Sequence, residues 1–297
     1  IKLALWIESE RMRKLHVESA GVETQRGVVK EERKNRNDNT PYGTSFEKLF
    51  KNLFGGGSYS WTPIGSAQHI DVATIAEFKE FYNKFYEPNN ATLVIAGDFD
   101  SKMAREYVDA YFGIYPKGKD IKREDFKLPE LTSEYRETIE DTKAQLPAVY
   151  IGYRGPKKGD PDAYAMEMLN DILSTGQSSR IYQRLVDKDQ VAVQAGSFLQ
   201  DLQYAGMLAA YGIVAPGKTP GSVEKAIYEE IERVQKEGVT DEEFQKARNT
   251  QEDRFIFGKK NALEKAEALA KYYTYFGKTN EINTEIQRYN KVTKADL

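Results

Sequence analysis

The sequence predicts two related α/β halves, each a sheet covered by helices. Strand, polar-turn and helix patterns recur at Ala91–Phe112 and again at Gly206–Val234, the alternation expected of layered α/β units. A length of 297 residues, at one domain per ~150, allows two units that each bury a core. Hydrophobic residues make up 40% and charged residues 30%, a balance that excludes a wholly disordered chain.

Composition divides the chain into three regions. The first, to Gly118, mixes helical patterns with one apolar run and an aromatic, glycine-rich loop. Thr74 and Glu77 form a capping box ahead of Phe78, Phe81, Tyr82 and Phe85, an apolar stripe at helical spacing. That helix must stop near Pro88. Ala91 to Gly97 is nearly all apolar and reads as a strand buried on both faces. Asp98 to Asp100 then supplies a turn and an N-cap for a helix carrying Met103, Tyr107, Val108 and Tyr111.

The second region, Lys119 to Asp141, is dominated by charge and reads as a linker with a strand at its end. The third opens with a strand from Ala148 to Tyr153, closed by Gly155-Pro156. Asp160-Pro161 caps a helix through Met168, Leu169 and Leu173, because proline is suited to the first helical position. Val191–Phe198 and Gly206–Val214 read as two strands of a hairpin or meander. Thr219-Pro220 opens a helix that ends before Gly238, Thr240 with Glu243 caps the next, and Asn261–Phe276 forms another.

Several functions are excluded outright. A net charge of -3, from 43 basic and 46 acidic residues, gives no global field for nucleic acid or anionic lipid. No apolar run approaches the ~20 residues of a membrane-spanning helix. Cysteine is absent, which removes disulfides, thiolate zinc sites and cysteine nucleophiles together. The two imidazoles, His16 and His69, cannot form a histidine-rich metal site on their own. Gly55-Gly56-Gly57 lacks the Lys-Ser/Thr of a phosphate loop and reads as a flexible loop beside Tyr59 and Trp61. Glu23, Glu31 and Glu32 lie on an amphipathic helix spanning Val22–Arg33, whose charged face reads as solvated. Chemistry alone stops at a two-domain α/β protein.

The residues then match a family. Glu8-Ser9-Glu10-Arg11-Met12-Arg13, Val22 to Arg33, and Asp38-Asn39-Thr40-Pro41-Tyr42-Gly43 resemble the pitrilysin/insulinase family of inverted zinc metallopeptidases. So does Phe81 to Ala91 running into Leu93-Val94-Ile95-Ala96-Gly97-Asp98. Ser178-Ser179-Arg180-Ile181-Tyr182-Gln183-Arg184-Leu185 looks like the family's second-domain signature. The blocks occur in family order across nearly the whole chain.

The resemblance implies an α+β fold of two homologous α/β domains, each a mostly antiparallel sheet with helices packed on one side. Residues 1–118 would be the remainder of the first, zinc-side domain, 119–141 a linker, and 142–297 a second, non-zinc domain that is C-terminally incomplete. Family zinc is held by two histidines of an H-x-x-E-H helix and a glutamate several tens of residues downstream. Aligned on Val28-Val29, that glutamate falls on Glu23, the metal ligand the resemblance assigns here. Glu31 and Glu32 keep the solvated reading.

Two departures qualify what carries over. No H-x-x-E-H occurs in the chain, so no catalytic residue is assigned. In family order the motif would precede Ile1, and the chain reads as a fragment trimmed at both ends. The Arg and Tyr with which the family often binds substrate in the second domain read here as Val186 and Val193, neither able to donate a side-chain hydrogen bond. His16 stands where many members place a glutamate seven residues before the ligand.

The resulting expectation is a piece of a zinc metalloendopeptidase that hydrolyses peptides or unfolded polypeptides. Zinc belongs to the intact parent and is not expected in this chain, which should itself be inactive. The expected partners are the peptide substrate and a homo- or heterodimeric family subunit carrying the Arg/Tyr pair. Nucleic acid and a membrane span are not expected. The lack of cysteine suits the periplasm or cell envelope but does not fix the compartment. The rival expectation is a non-catalytic family member acting as a scaffold or substrate-binding subunit.

Overall fold

The computed structural model describes residues 1–123 and 126–297. In the first region, helices α1 (Lys2–Arg13), α2 (Ser19–Arg33), α3 (Ser45–Leu53), α4 (Ala67–Val72), α5 (Ile75–Phe85) and α6 (Ser101–Phe112) follow one another. The capping box of Thr74 and Glu77 starts α5 where the sequence places it, and the Asp100 carboxylate accepts from the Met103 amide to start α6. α1 packs on α6, and α2 on α4. The Tyr82 hydroxyl of α5 donates toward the carbonyl of Met12 at 2.7 Å and accepts from the Leu15 amide, tying α5 to the end of α1.

The strand read at Ala91–Gly97 is corrected. Ala91 is extended, at φ -123° and ψ 150°, but the run pairs with no segment among the described residues. Alternation and apolarity make a segment fit for a ladder, but only a neighbour supplying N–H and C=O groups makes it a strand. The apolar stripe of α5 is likewise only partly covered, with Phe81 58% exposed. The strand expected at the end of the linker is also absent among the described residues.

The third region forms its strands and main helices where the sequence places them, but its sheet is covered on both faces, not on one as expected. β1 (Ala148–Gly155), β2 (Ala192–Asp201) and β3 (Gly206–Val214) make a three-stranded antiparallel sheet in the order β1-β3-β2. β2 carries a bulge between Ala192 and Gln194. α7 (Pro161–Ser174), the short α8 (Arg180–Tyr182) and α9 (Pro220–Glu237) cover one face. α10 (Asp241–Phe257), α11 (Ala262–Phe276), α12 (Glu281–Thr284) and α13 (Ile286–Tyr289) follow, with α10 and α13 packed on α7. Val149, Ile151, Ala195, Ala210 and Val214 meet Met168, Ile172, Leu185, Val223 and Ile227 in this core. α11 ends at Gly277, whose φ of 66° places it in the left-handed region that glycine adopts without strain.

The opposite face of the sheet is covered by α3, a helix of the first region. Phe46, Leu49, Phe50 and Leu53 recur at helical spacing and pack with Phe54, Phe198 and Met207. Fully burying a side chain of this size, as at Phe50, Leu53 and Phe54, contributes roughly 1.5–3 kcal/mol. Gly152 lets the helix approach, since a Cβ there would lie 3.0 Å from both Leu49 and Leu53 side chains. Helices on both faces explain why β3 is buried from Gly206 to Ala210.

The linker is a strap anchored at several points. Phe126 and Leu128 join the α3 core, and Glu137 pairs with Lys48 at 2.9 Å while accepting from Asn52 at 3.0 Å. Arg154 of β1 donates to the carbonyls of Leu53 and Pro129, bracing the end of α3 against the strap. Tyr42, a non-glycine residue at φ 60°, donates its amide to Asp141 and its hydroxyl to Leu146, each at 2.7 Å. Those bonds offset the cost of the left-handed backbone.

Gly212 of β3 faces α9 so closely that a Cβ would lie 2.6 Å from the fully buried, β-branched Val223. Gly212→Ala is therefore expected to destabilise the chain by about 1–3 kcal/mol through overpacking, read as a lower urea midpoint at unchanged slope. An unshifted midpoint would mean that α9 yields freely.

Candidate functional site

The candidate metal-side residues lie on α2. Val22, Arg26, Val29, Lys30 and Arg33 form its half-buried side, whereas Glu23, Thr24, Gln25, Gly27, Val28 and Glu31 face outward. Glu23 is 62% exposed, and its Oε1 accepts from Arg26 Nε at 3.1 Å. The Arg26 guanidinium also reaches the carbonyl of Ala73, so it holds Glu23 from the protein side. Glu31, exposed, pairs with Lys34 at 2.6 Å, and the half-buried Glu32 pairs with Arg36 at 3.0 Å. His16 is exposed, 3.5 Å from Glu18, and His69 is exposed on α4.

Among the described residues, no three His, Cys, Asp or Glu side chains gather closely enough to hold a metal ion. Catalytic zinc needs three protein ligands and an open position. The residues present therefore do not compose a zinc site by themselves; Glu23 is placed openly enough to be at most one ligand of such a site.

The C-terminal end of α2 carries a hub that its sequence does not announce. Arg33 grips Glu47 of α3 with two parallel bonds, Nη1 to Oε1 at 2.8 Å and Nη2 to Oε2 at 3.0 Å. It also donates to the carbonyl of Gly65 and lies 3.3 Å from Asp38. The hydrogen bond to Glu47 leads the effects that hold the guanidinium above its ordinary value. Fork-on-fork pairing of this kind fixes orientation as well as distance.

Within the Ser178–Leu185 block, one arginine is buried, Arg180 at 8% exposed. Arg180 binds Glu243 through Nε at 2.6 Å and Nη2 at 2.7 Å, and Nη2 also meets the carbonyl of Gly238. Glu243 simultaneously accepts the Thr240 amide at 2.8 Å, so one carboxylate caps α10 and anchors the signature. The Arg180 hydrogen bonds hold this carboxyl down at about 2. Glu230 of α9, 1% exposed, sits between Arg233 at 2.7 Å and Arg180 at 3.8 Å, and burial pushes its carboxyl up.

Val186 packs against the main core, whereas Val193 is 49% exposed at the β2 bulge. Neither offers a polar group, as their residue types require. The glycine loop reads correctly as a loop: Gly55 and Gly56 line an open cleft of about 540 Å³ with Lys51, Ser60 and Tyr135.

The chain belongs to the M16 peptidase family: residues 73–251 match the model described as the peptidase M16 inactive domain. That assignment agrees with the pitrilysin/insulinase resemblance. The zinc protease PqqE of Helicobacter pylori is 28% identical over 271 residues, covering 91% of this chain and 61% of that protein. The zinc protease YmxG of Bacillus subtilis, itself uncharacterized, is 22% identical over 90% of this chain and 64% of its own length. The chain thus spans about three-fifths of the length of these curated relatives. A protease structure from Helicobacter pylori superposes on all of this chain and 72% of its own with a TM-score of 0.92 at 26% identity. The M16 inactive domain from Pseudomonas fluorescens shares the fold, with a TM-score of 0.81 at 18% identity over 99% of this chain and 69% of its own.

The depressed Glu243 carboxyl contributes stability that is present above its ordinary 4.5 and is lost as pH falls toward about 2. Arg180→Met is expected to return the Glu243 titration toward 4.5 and to raise the pH of acid unfolding. Carboxyl NMR titration and acid denaturation read both; an unmoved Glu243 midpoint would remove the ion pair from the account.

Proposed function

We propose that this chain is part of an M16 zinc metalloendopeptidase that hydrolyses peptides or unfolded polypeptides. Its share would be the inactive, non-zinc domain together with the carboxylate-bearing helix of the zinc side. The observation that carries this reading is the match to a Helicobacter pylori protease along the full chain, at a TM-score of 0.92 and 26% identity. The zinc-protease names of the curated relatives support zinc as the parent's metal.

The reading requires an H-x-x-E-H motif elsewhere in the polypeptide, because these 297 residues contain none. In the parent, bound zinc would polarise the scissile carbonyl and activate water. This chain's residues would do other work. Glu23 would offer one carboxylate from an open helix face, oriented by Arg26. The two-faced sheet would hold α2 at a fixed place through α3. With Val186 and Val193 in place of an Arg/Tyr pair, substrate-binding donors would come from a homo- or heterodimeric partner. A periplasmic or cell-envelope setting belongs to the same reading.

A scaffold or substrate-binding subunit without activity is the second reading. It draws on the description of the matching model as an inactive domain and on the two valines. The two readings separate on the intact parent. Stoichiometric zinc by elemental analysis and peptide turnover are expected for the enzyme; neither is expected for the scaffold.

Within the enzyme, Glu23→Gln is expected to lower zinc occupancy and turnover with little change in thermal stability, because the residue is exposed and its helix survives. Glu31→Gln and Glu32→Gln serve as controls on the same helix. Unchanged zinc content in Glu23→Gln, with loss in either control, would move the ligand to that residue.

A further inference from the structure

The helix α3 has three working faces. Phe46, Leu49, Phe50 and Leu53 lie on the sheet, Lys48 and Asn52 reach Glu137 of the strap, and Glu47 is gripped by Arg33 of α2. α3 therefore belongs by packing to the sheet of the third region, although it precedes the strap in sequence. α2 meets this assembly through a polar contact whose centre is only 16% and 21% exposed at Arg33 and Glu47. Asn37 adds a donor to Glu47 at 3.4 Å, and Asp38 flanks the guanidinium.

We propose that Arg33 is a positioning residue, its pair with Glu47 fixing the carboxylate-bearing helix α2 relative to the sheet. The route runs from α2 through the bidentate pair into α3, and from Leu49 and Leu53 onto Gly152. A planar guanidinium suits this task because two parallel bonds resist rotation, where an ammonium would hold a single point. Its bearing on zinc rests on the peptidase reading; the mechanical coupling does not.

The absence of cysteine makes the coupling directly measurable. Nitroxide labels at Thr24→Cys on α2 and Lys225→Cys on α9 report the placement of α2 on the sheet by pulsed EPR. Labels at Lys225→Cys and Gln245→Cys report the third region alone. The unaltered pair is expected to give one narrow α2–α9 distance. Arg33→Met and Glu47→Gln should each broaden it, leaving the internal distance unchanged, and the double variant should be no broader than Arg33→Met. Amide exchange in α2 should rise about tenfold in Arg33→Met without a matching rise in the sheet, a size ordinary for a coupled pair. Arg33→Lys, which keeps the charge and loses the fork, should fall between.

A narrow, unshifted α2–α9 distance in Arg33→Met overturns the proposal, as does additive broadening in the double variant. If Arg33→Met disturbs the internal distance too, Arg33→Lys decides: a distance as narrow as the unaltered chain's overturns the coupling. Turnover by the parent is read separately. A parent with no zinc or activity removes the peptidase reading and leaves the distance result standing.

Discussion

The arrangement depends on a sheet that is narrow enough to be covered on both faces. β3 carries small residues where two layers must approach it. Gly212 sits under Val223 on one side, and Ala209, opposite Gly152, lies on the side that Leu49 and Leu53 of α3 approach. Larger side chains there would push one layer away and leave the central strand half wet. Close approach from both sides gives three strands a core that an isolated hairpin lacks. It also enlists a helix from the far side of the strap, so the third region is not complete without α3.

Long arginines fasten what packing leaves loose. Arg33 joins α2 to α3, Arg154 braces the end of α3 against the strap, and Arg180 ties the signature segment to the start of α10. Each joins residues distant in sequence, and each uses carbonyls as well as, or in place of, carboxylates. Arg154 meets two carbonyls, and burial lowers its affinity for the proton. The family resemblance marks the region around Arg180, but the partners of these groups are set by topology.

Legibility followed the range of the interaction. Helix starts at Thr74, Asp100, Thr240 and Asn261 were readable because a cap and its amide lie within three residues. β1, β2 and β3 were readable from apolar runs between turn signals. The run at Ala91–Gly97 carried the same signal and formed no ladder among the described residues, because pairing is a property of two segments and periodicity describes one. The strap read as a linker from its charge, and its anchoring by Phe126, Leu128, Glu137 and Asp141 depended on distant residues. At the candidate site, Glu23 came from the family alignment alone. Arg33 and Glu47, fourteen residues apart, look like ordinary surface charges until α3 folds back beneath α2.

The run from Ala91 to Gly97, unpaired among the described residues, also bears on how the chain meets its own copies. Thr92, Leu93, Val94 and Ile95 form an uncharged stretch outside any helix or strand, with Leu93 44% exposed. Backbone groups in such a stretch are a template for any passing strand. An exposed run without a ladder is expected to favour contact between copies as protein concentration rises. Dilution, or a charge at Thr92, is the remedy that physical chemistry supplies.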